Sequence, residues 1–406
     1  MMTFKKSLSI GQGKIANLTF GRGYLEASLF TPLSLFANGE QGAWYDPSDI
    51  STLFQDAAGT TPVTASGQPV GLILDKSQKL SYGPDLVTNG EFTTNTNNWS
   101  AFNAVLSVEN GTIKVDDSVS AGDNSSAQQQ LTGLVVGKSY MISGQIISSS
   151  GSGNIVLWQE GDNTTITSGA SFQLVASVAQ FNGSGIFTAS GTAATIGLVS
   201  NGNSITYFDN LSVRELNGNH ATQSVAANRP TYRAGGGLAW LEFDGVNDTL
   251  EANPIGSIIQ SISGFYVATH NNSQKTEIVF GAQGDSTANR IQFYANTDGK
   301  RYVGIQGNNG SSFSQSGTAT TKQVAGAVWN GSNINSYINA VESFNSNQSG
   351  NLDLTTGIIY VGGSPNFSSL RFAGVFYGGI LVASALSDDE ISQTTQYLAN
   401  KSGVTL

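Results

Sequence analysis

An all-β protein is what this chain predicts, and three observations carry that reading. Charged residues make up only 11% of it, against roughly 25% in an ordinary soluble domain. Clusters of Gly, Asn, Ser and Thr recur between short alternating or apolar runs, the pattern of strands punctuated by turns. A capped helical period occurs once, close to the C-terminal end. The 20 Phe, 13 Tyr and 5 Trp supply the large side chains a core needs, which argues against general disorder. At 406 residues the chain has room for two or three domains.

The elements follow in order. Tyr24–Phe30 alternates as a strand within an N-terminal arm, residues 1–40, too short to fold alone. Asp46 and Pro47 read as N-cap and first residue of a short helical turn running through Leu53-Phe54. Asp46 and Asp49 together raise a metal site, against which stands cap chemistry. Residues 84–216 form a block in which Gly137-Lys138 turns into an alternating strand carrying Tyr140, Ile142 and Gly144 on one face. Ser148–Gly153 reads as a hairpin tip, and Gly235-Gly236-Gly237 as a hinge or turn. Leu241 and Phe243 point inward from a strand that ends in a Gly-Asn-Asp turn, and Phe372–Val382 reads as a pair of late strands. Ser387 with Glu390 makes a capping box; Ile391, Thr394, Thr395 and Leu398 share one helical face, and Gly403 stops it.

Several function classes are excluded. The net charge is −10 with no basic stripe, so nucleic acid is not a partner. Without cysteine there is no disulfide, thiol catalysis or cysteine-bound zinc. Lys5 and Lys6 lead into a polar stretch rather than an apolar targeting core, and no apolar run spans a bilayer. Synthesis in a cytoplasm is expected, with no membrane insertion.

Two phrases then organise the chain. Leu74-Asp75-Lys76-Ser77 and, much later, Gly218-Asn219-His220-Ala221-Thr222-Gln223 with Ala227–Tyr232 resemble two halves of one stretch of concanavalin A-like (laminin G-like) lectin modules in phage and prophage virion proteins. Trp240–Leu250, Ala327–Ser332, Ser336–Ala340 and the terminal Leu386–Val404 resemble further phrases of that family, in its order. The block between the halves resembles family 4/9-type carbohydrate-binding modules through Leu86–Phe92, Leu131–Gly144 and Ile205–Glu215. The resemblance implies two β-sandwich (jelly-roll) domains, one inserted in the other. A lectin-like sandwich would comprise 41–83 plus 217–406, and a carbohydrate-binding-like guest 84–216. A plain tandem leaves 41–80 as an orphan too small to fold alone.

Candidate site residues are few. Sugars need aromatic faces beside hydrogen-bonding side chains; Trp99, Phe102, Trp158 and Tyr207 are the candidates, Trp158 foremost as a strand-end platform, although such rings are usually core. For calcium, Asn89, Glu91 and Asp209 stand near the guest's first and last strands, which the family places side by side around a structural calcium. Asp244, Asn247 and Asp248 form a second oxygen cluster, and ordinary turn chemistry explains either set. Glu242-Phe243-Asp244-Gly245-Val246-Asn247 resembles the acidic strand of sandwich glycosidases, but an amide at 247 cannot serve as the second carboxyl. His220 and His270, the two histidines, read as loop or edge residues. The expectation is a non-enzymatic virion protein of tail fibre, baseplate or capsid decoration, adhering to host-surface glycans. Its arm, residues 1–40, would bind other virion proteins, and it would form a homo-oligomer, by family a trimer. A purely structural cementing protein and a glycosidase accessory protein are the alternatives.

Overall fold

A computed structural model describes residues 30–118, 125–159, 172–271, 275–284, 289–307, 310–364 and 367–406. Residues 24–29 of the expected first strand, and most of the arm, lie outside these. The described chain is all-β with one α-helix, and its strands make two sandwiches.

In the first sandwich an eight-stranded and a nine-stranded antiparallel sheet face each other. Their shared core runs from Ala43, Tyr45, Leu53 and Ile73 to Leu241, Phe280, Phe293, Trp329 and Leu381. Two distant stretches of sequence build it. Gly42–Tyr45 pairs with Ala373–Val382, Gly42 opposite Val382, and Leu72–Ile73 pairs with Ala221–Thr222. In the second sandwich a five-stranded and a six-stranded sheet enclose a core drawn from residues between Val87 and Val213. Its strand Ser139–Ser149 buries Tyr140, Ile142 and Gly144 as the alternation requires.

The helix Asp388–Ser402 carries the capping box at Ser387 and ends at Gly403 in the left-handed region, φ 70°. It packs against Ile262–His270 and Ala373–Val382 of the eight-stranded sheet. Ile262–His270 is therefore buried on both faces, with Phe265–Ala268 at its centre. Pro32–Phe36, within the expected arm, is a 3-10 turn with Leu35 and Phe36 buried, in contact with the same helix and strand.

Two local expectations are corrected. Phe372–Val382 is not a strand pair: Ala373–Val382 is one ten-residue strand. The Gly378-Gly379 doublet serves close packing rather than a turn; a side chain at 379 would press on Phe376 and Phe280. Asp46 caps no α-helix. Gly42–Tyr45 is a strand, Ile50–Thr52 a single 3-10 turn, and Leu53–Phe54 a strand. Asp46 is buried, accepts from Ser48 N and Oγ, and lies 3.3 Å from Lys76 Nζ and 3.1 Å from Lys401 Nζ, while Tyr397 donates to it at 2.9 Å. Burial would raise this carboxyl, but the Ser48 hydrogen bonds and the two ammonium groups outweigh it and hold it low. Lysine, not a metal, joins Asp46 to Asp49, whose carboxylate is 2.6 Å from the same Lys76.

Chain exit and return meet at Asp75. Its fully buried carboxylate accepts from Trp44 N (2.7 Å), Ser77 N (2.9 Å), Ser77 Oγ (2.7 Å) and Asn219 N (2.7 Å), and its own N–H donates to His220 Nδ1 (2.9 Å). A small apolar cluster of Leu72, Leu74, Ile186 and Leu216, flanked by Phe54, Leu80 and Met141, fills the space between the sandwiches. Ile186 N–H donates to Ala58 O across it, and Asn253 Nδ2 to Gly137 O.

Replacing Asp75 by Ala leaves the Trp44, Ser77 and Asn219 N–H groups without their acceptor in a dry site. The expected loss is about 3–5 kcal/mol, read as a lower urea midpoint for the first unfolding transition. Asp75→Asn should lose stability too, because its NH2 faces donors. A loss below ~1 kcal/mol in both variants, within the range of ordinary surface changes, would show that the clamp is not needed.

Candidate glycan-binding face

The five-stranded sheet consists of Ser100–Phe102, Ser125–Thr132, Ser152–Gln159, Phe172–Val178 and Ala193–Asn201. None of these strands contains Asp, Glu, Lys, Arg or His. Ile155, Leu157, Ile196, Leu198, Ala127 and Leu131 point into the core, so their neighbours face outward. Register sorts the outward residues into three rows. Trp158, Thr195 and Gln130 form the first. Gln173, Val156, Gly197, Gln128 and Ser100 form the second. Asn154, Val199, Ser126 and Phe102 form the third.

The floor of this face is apolar. Val156 and Val199 are 3% and 4% exposed although neither belongs to the core. Trp158, half-buried, lies over Gly197: a Cβ there would collide with the ring. That is the close approach which requires glycine at this position. Strands about 4.8 Å apart and a rise of about 3.4 Å per residue put the Trp158 and Phe102 backbones roughly 20 Å apart. An aromatic side chain at either end, amides and hydroxyls between, and no charge describe a surface for an extended neutral polar ligand.

The expected sugar-binding aromatics do not all converge: Trp158 and Phe102 share one face, and Trp99 and Tyr207 do not. Trp99 is only 7% exposed; its ring packs 5.3 Å from Phe92 and its Nε1 donates to Asn89 O at 3.1 Å. It is a core residue and presents no face. Tyr207 stands on the outer side of the six-stranded sheet, opposite Lys114 in register, and donates to Glu109 Oε2 at 3.0 Å. That hydrogen bond, with burial adding, raises its hydroxyl. Trp158 and Tyr207 thus occupy opposite sides of the second sandwich. Phe102, Gln128, Gln130, Gln173 and Thr195 share the face of Trp158; among these only Phe102 drew notice in the sequence. The signal for the others was the absence of charge from all five strands.

The calcium candidates fare unevenly. Gly90 O accepts from Leu211 N at 3.1 Å, so segment 89–91 runs beside 209–211. Asp209 Oδ1 is buried without a hydrogen-bond partner among the described residues, and burial raises its carboxyl. The Asn89 amide donates to Asn95 O and Asn97 O, which leaves its Oδ1 available. Glu91 is exposed. Among the described residues no three His, Cys, Asp or Glu side chains gather as metal ligands. The second cluster is turn chemistry: Asp244 Oδ1 accepts from Val246, Asn247 and Asp248 N, and Asp248 Oδ2 accepts from Asp244 N.

The remaining titratable candidates are committed elsewhere. Glu242 pairs with Arg233 at 2.6 Å on the surface. His220 lies in the loop before Ala221–Thr222 and His270 ends the strand Ile262–His270, as loop and edge residues, and both rings are buried. His220 is buried, accepts from Asp75 N and holds Leu216 O at 3.2 Å; burial lowers its pKa and keeps it neutral. His270 is buried 4.9 Å from the Phe372 ring, with Nδ1 3.0 Å from the buried Glu277, and burial lowers it likewise.

No family model matches the chain, and no curated protein matches it in sequence. Solved structures match parts of it. The CBM40 of Ruminococcus gnavus IT-sialidase, bound to α2,3-sialyllactose, aligns with 38% of this chain and 96% of its own at 9% identity, TM-score 0.31. Domain 4 of AbnA, a GH43 extracellular arabinanase from Geobacillus stearothermophilus in complex with arabinotriose, aligns with 41% and 81% at 14% identity, TM-score 0.34. NanB with Optactamide aligns with 33% of this chain at 15% identity, TM-score 0.28, and only 23% of that chain is spanned.

Both oxygen clusters are open to measurement. Calcium at millimolar concentration should raise the melting temperature of the wild type and not of Asp209→Asn; equal responses in both would remove Asp209 from any cation site. Burial, then the neighbouring Asp244, pushes the Asp248 carboxyl up to about 6. A raised carboxyl favours folding below its unfolded pKa of about 3.9, and that advantage is lost as pH rises through 6. Asp248→Asn should therefore gain ~2 kcal/mol at pH 7.5 and nothing at pH 4, measured by urea denaturation at both pH values.

Proposed function

We propose that this chain is a non-enzymatic adhesion protein of a phage or prophage particle, from the tail fibre, baseplate or capsid-decoration class. Its second sandwich holds a neutral glycan of the host surface. The observation that carries the glycan reading is the uncharged face with Trp158 over Gly197 and Phe102 at the far corner. Sugars present hydroxyl edges and weakly apolar faces; amides and hydroxyls meet the first, aromatic rings the second. The virion reading is supported by the ordered lectin-like phrases from Leu74 to Val404.

In this reading residues 41–83 and 217–406 form a lectin-like host domain and 84–216 a carbohydrate-binding-like guest. Residues 1–40 attach the chain to other virion proteins or sister subunits. Each copy binds weakly, and a particle carrying many copies adheres through high effective concentration.

Glycan-array binding by the full chain should select uncharged oligosaccharides. Trp158→Ala should weaken that binding by about tenfold or more, the range of one lost aromatic contact plus its buried area, with the melting temperature unchanged. Trp99→Ala should do the reverse, costing about 3–5 kcal/mol of stability as a core truncation. No binding to any glycan would leave a structural cementing role; binding indifferent to Trp158 would move the site elsewhere. Release of reducing sugar that disappears in Glu242→Gln would overturn the non-enzymatic assignment.

A further inference from the structure

The opposite side of the second sandwich has a pocket of different chemistry. It encloses about 350 Å³ and is lined by Tyr82, Met141, Ser143, Ser184, Ser212 and Arg214, within the size range of small-ligand sites. Three adjacent strands of the six-stranded sheet build it. Ser184 lies directly opposite Ser143, and Ser143 directly opposite Ser212. The three hydroxyls therefore stand in one row, about 4.8 Å apart. Those of Ser143 and Ser184 make no hydrogen bond among the described residues, and Ser212 Oγ accepts only from Arg214 Nε at 3.2 Å. The next row brings Met141 opposite Arg214. Tyr82, half exposed, comes from the strand Tyr82–Asp85 on the other side of Arg214.

Arg214 is the only charged group lining the pocket. Asp85 fixes it without saturating it. One carboxylate oxygen, Oδ2, accepts from both Nε and Nη2 at 3.3 Å, while Oδ1 accepts from Val87 N and Val213 N. Charge-assisted hydrogen bonds are normally about 2.7–2.9 Å, so both of these are long. Nη1 has no partner among the described residues. A guanidinium held in place, with donors to spare, matches a planar carboxylate. Hydroxyls beside it and an aromatic ring at the rim match the rest of a pyranose.

We propose that this pocket is a second saccharide site, selective for a sugar bearing a carboxylate. The acid would lie on Arg214, the ring hydroxyls on the serine row and an apolar sugar face on Tyr82. It is independent of the Trp158 face, which lies on the other sheet.

The test is titration of the full chain with trigalacturonate and, in parallel, with neutral galactotriose. Trigalacturonate should bind and weaken with added salt, and Arg214→Gln and Tyr82→Ala should each lower its affinity by about tenfold or more. Trp158→Ala should leave it unchanged, so failure here and failure of the neutral face are separable. Tyr82→Ala leaves the Arg214–Asp85 pair intact and decides the matter if Arg214→Gln does not fold. Absence of trigalacturonate binding, binding that survives both substitutions, or equal binding of galactotriose would each overturn the proposal.

Discussion

The buried Asp75 carboxylate is the constraint on which the arrangement of this chain depends. Four of its hydrogen bonds reach three separate stretches: the first strand at Trp44, the turn at Ser77, and the returning chain at Asn219. His220 closes the figure by accepting from Asp75 N. A carboxylate buried in protein needs such donors, because desolvation costs several kcal/mol per ion. Its donors in turn need it. The residues that leave the first sandwich and those that re-enter it are thereby held within a hydrogen bond of each other, whatever the length of chain between them. A domain whose own ends lie together can occupy that gap without disturbing the sandwich that carries it. Tyr45 and Gly42 extend the same join: the Tyr45 hydroxyl donates to Asn219 O at 2.6 Å, and Asn219 Nδ2 to Gly42 O at 2.6 Å.

Few charges are spent inside this protein, and two of them gather many partners. Arg301, wholly buried, donates to the carbonyls of Ala268, Thr318, Ala319 and Thr321 and lies over the Tyr266 ring. It acts as a multi-point strut between sheets rather than as half of an ion pair. Asp46 gathers Ser48, Lys76, Lys401 and Tyr397, joining the first strand to the C-terminal helix. With so little charge overall, solubility falls to Asn, Gln, Ser and Thr. Those are also the residues that can exchange hydrogen bonds with sugar hydroxyls, so the uncharged surface that keeps the chain in solution is the one the proposed glycan reading uses.

The sequence was legible where a structural choice is local. The capping box at Ser387 and the alternation through Tyr140 and Ile142 each follow from neighbouring residues alone. It misled at Phe372–Val382, read as two strands: the one long strand there carries Gly378 and Gly379, positions crowded by Tyr45 and Phe280 from across the fold. The two tryptophans make the same point for the site. Trp158 follows Ile155 and Leu157, so alternation alone turns it outward. Trp99 precedes its strand and no period reaches it; only Phe92 and Asn89 O, brought over by the loop, show that it is core. Which residues share the outer face with Trp158 depends on strand order, and strand order is not written in any one segment.

The two outer faces of the second sandwich differ for a physical reason that constrains what each can hold. The six-stranded sheet packs one end against Leu72, Leu74 and Phe54 of the first sandwich. Near that junction its outward residues are apolar, and Arg214 with Asp85 marks where the contact ends and solvent begins. The five-stranded sheet has no described neighbour on its outer side. A guanidinium on that face would have to be desolvated by every neutral chain lying across it, with no carboxylate to offset the loss. In the two-site reading proposed above, the charge-free strands of one sheet and the Asp85-anchored Arg214 beside the serine row of the other would separate a neutral from an acidic ligand by the thickness of the sandwich.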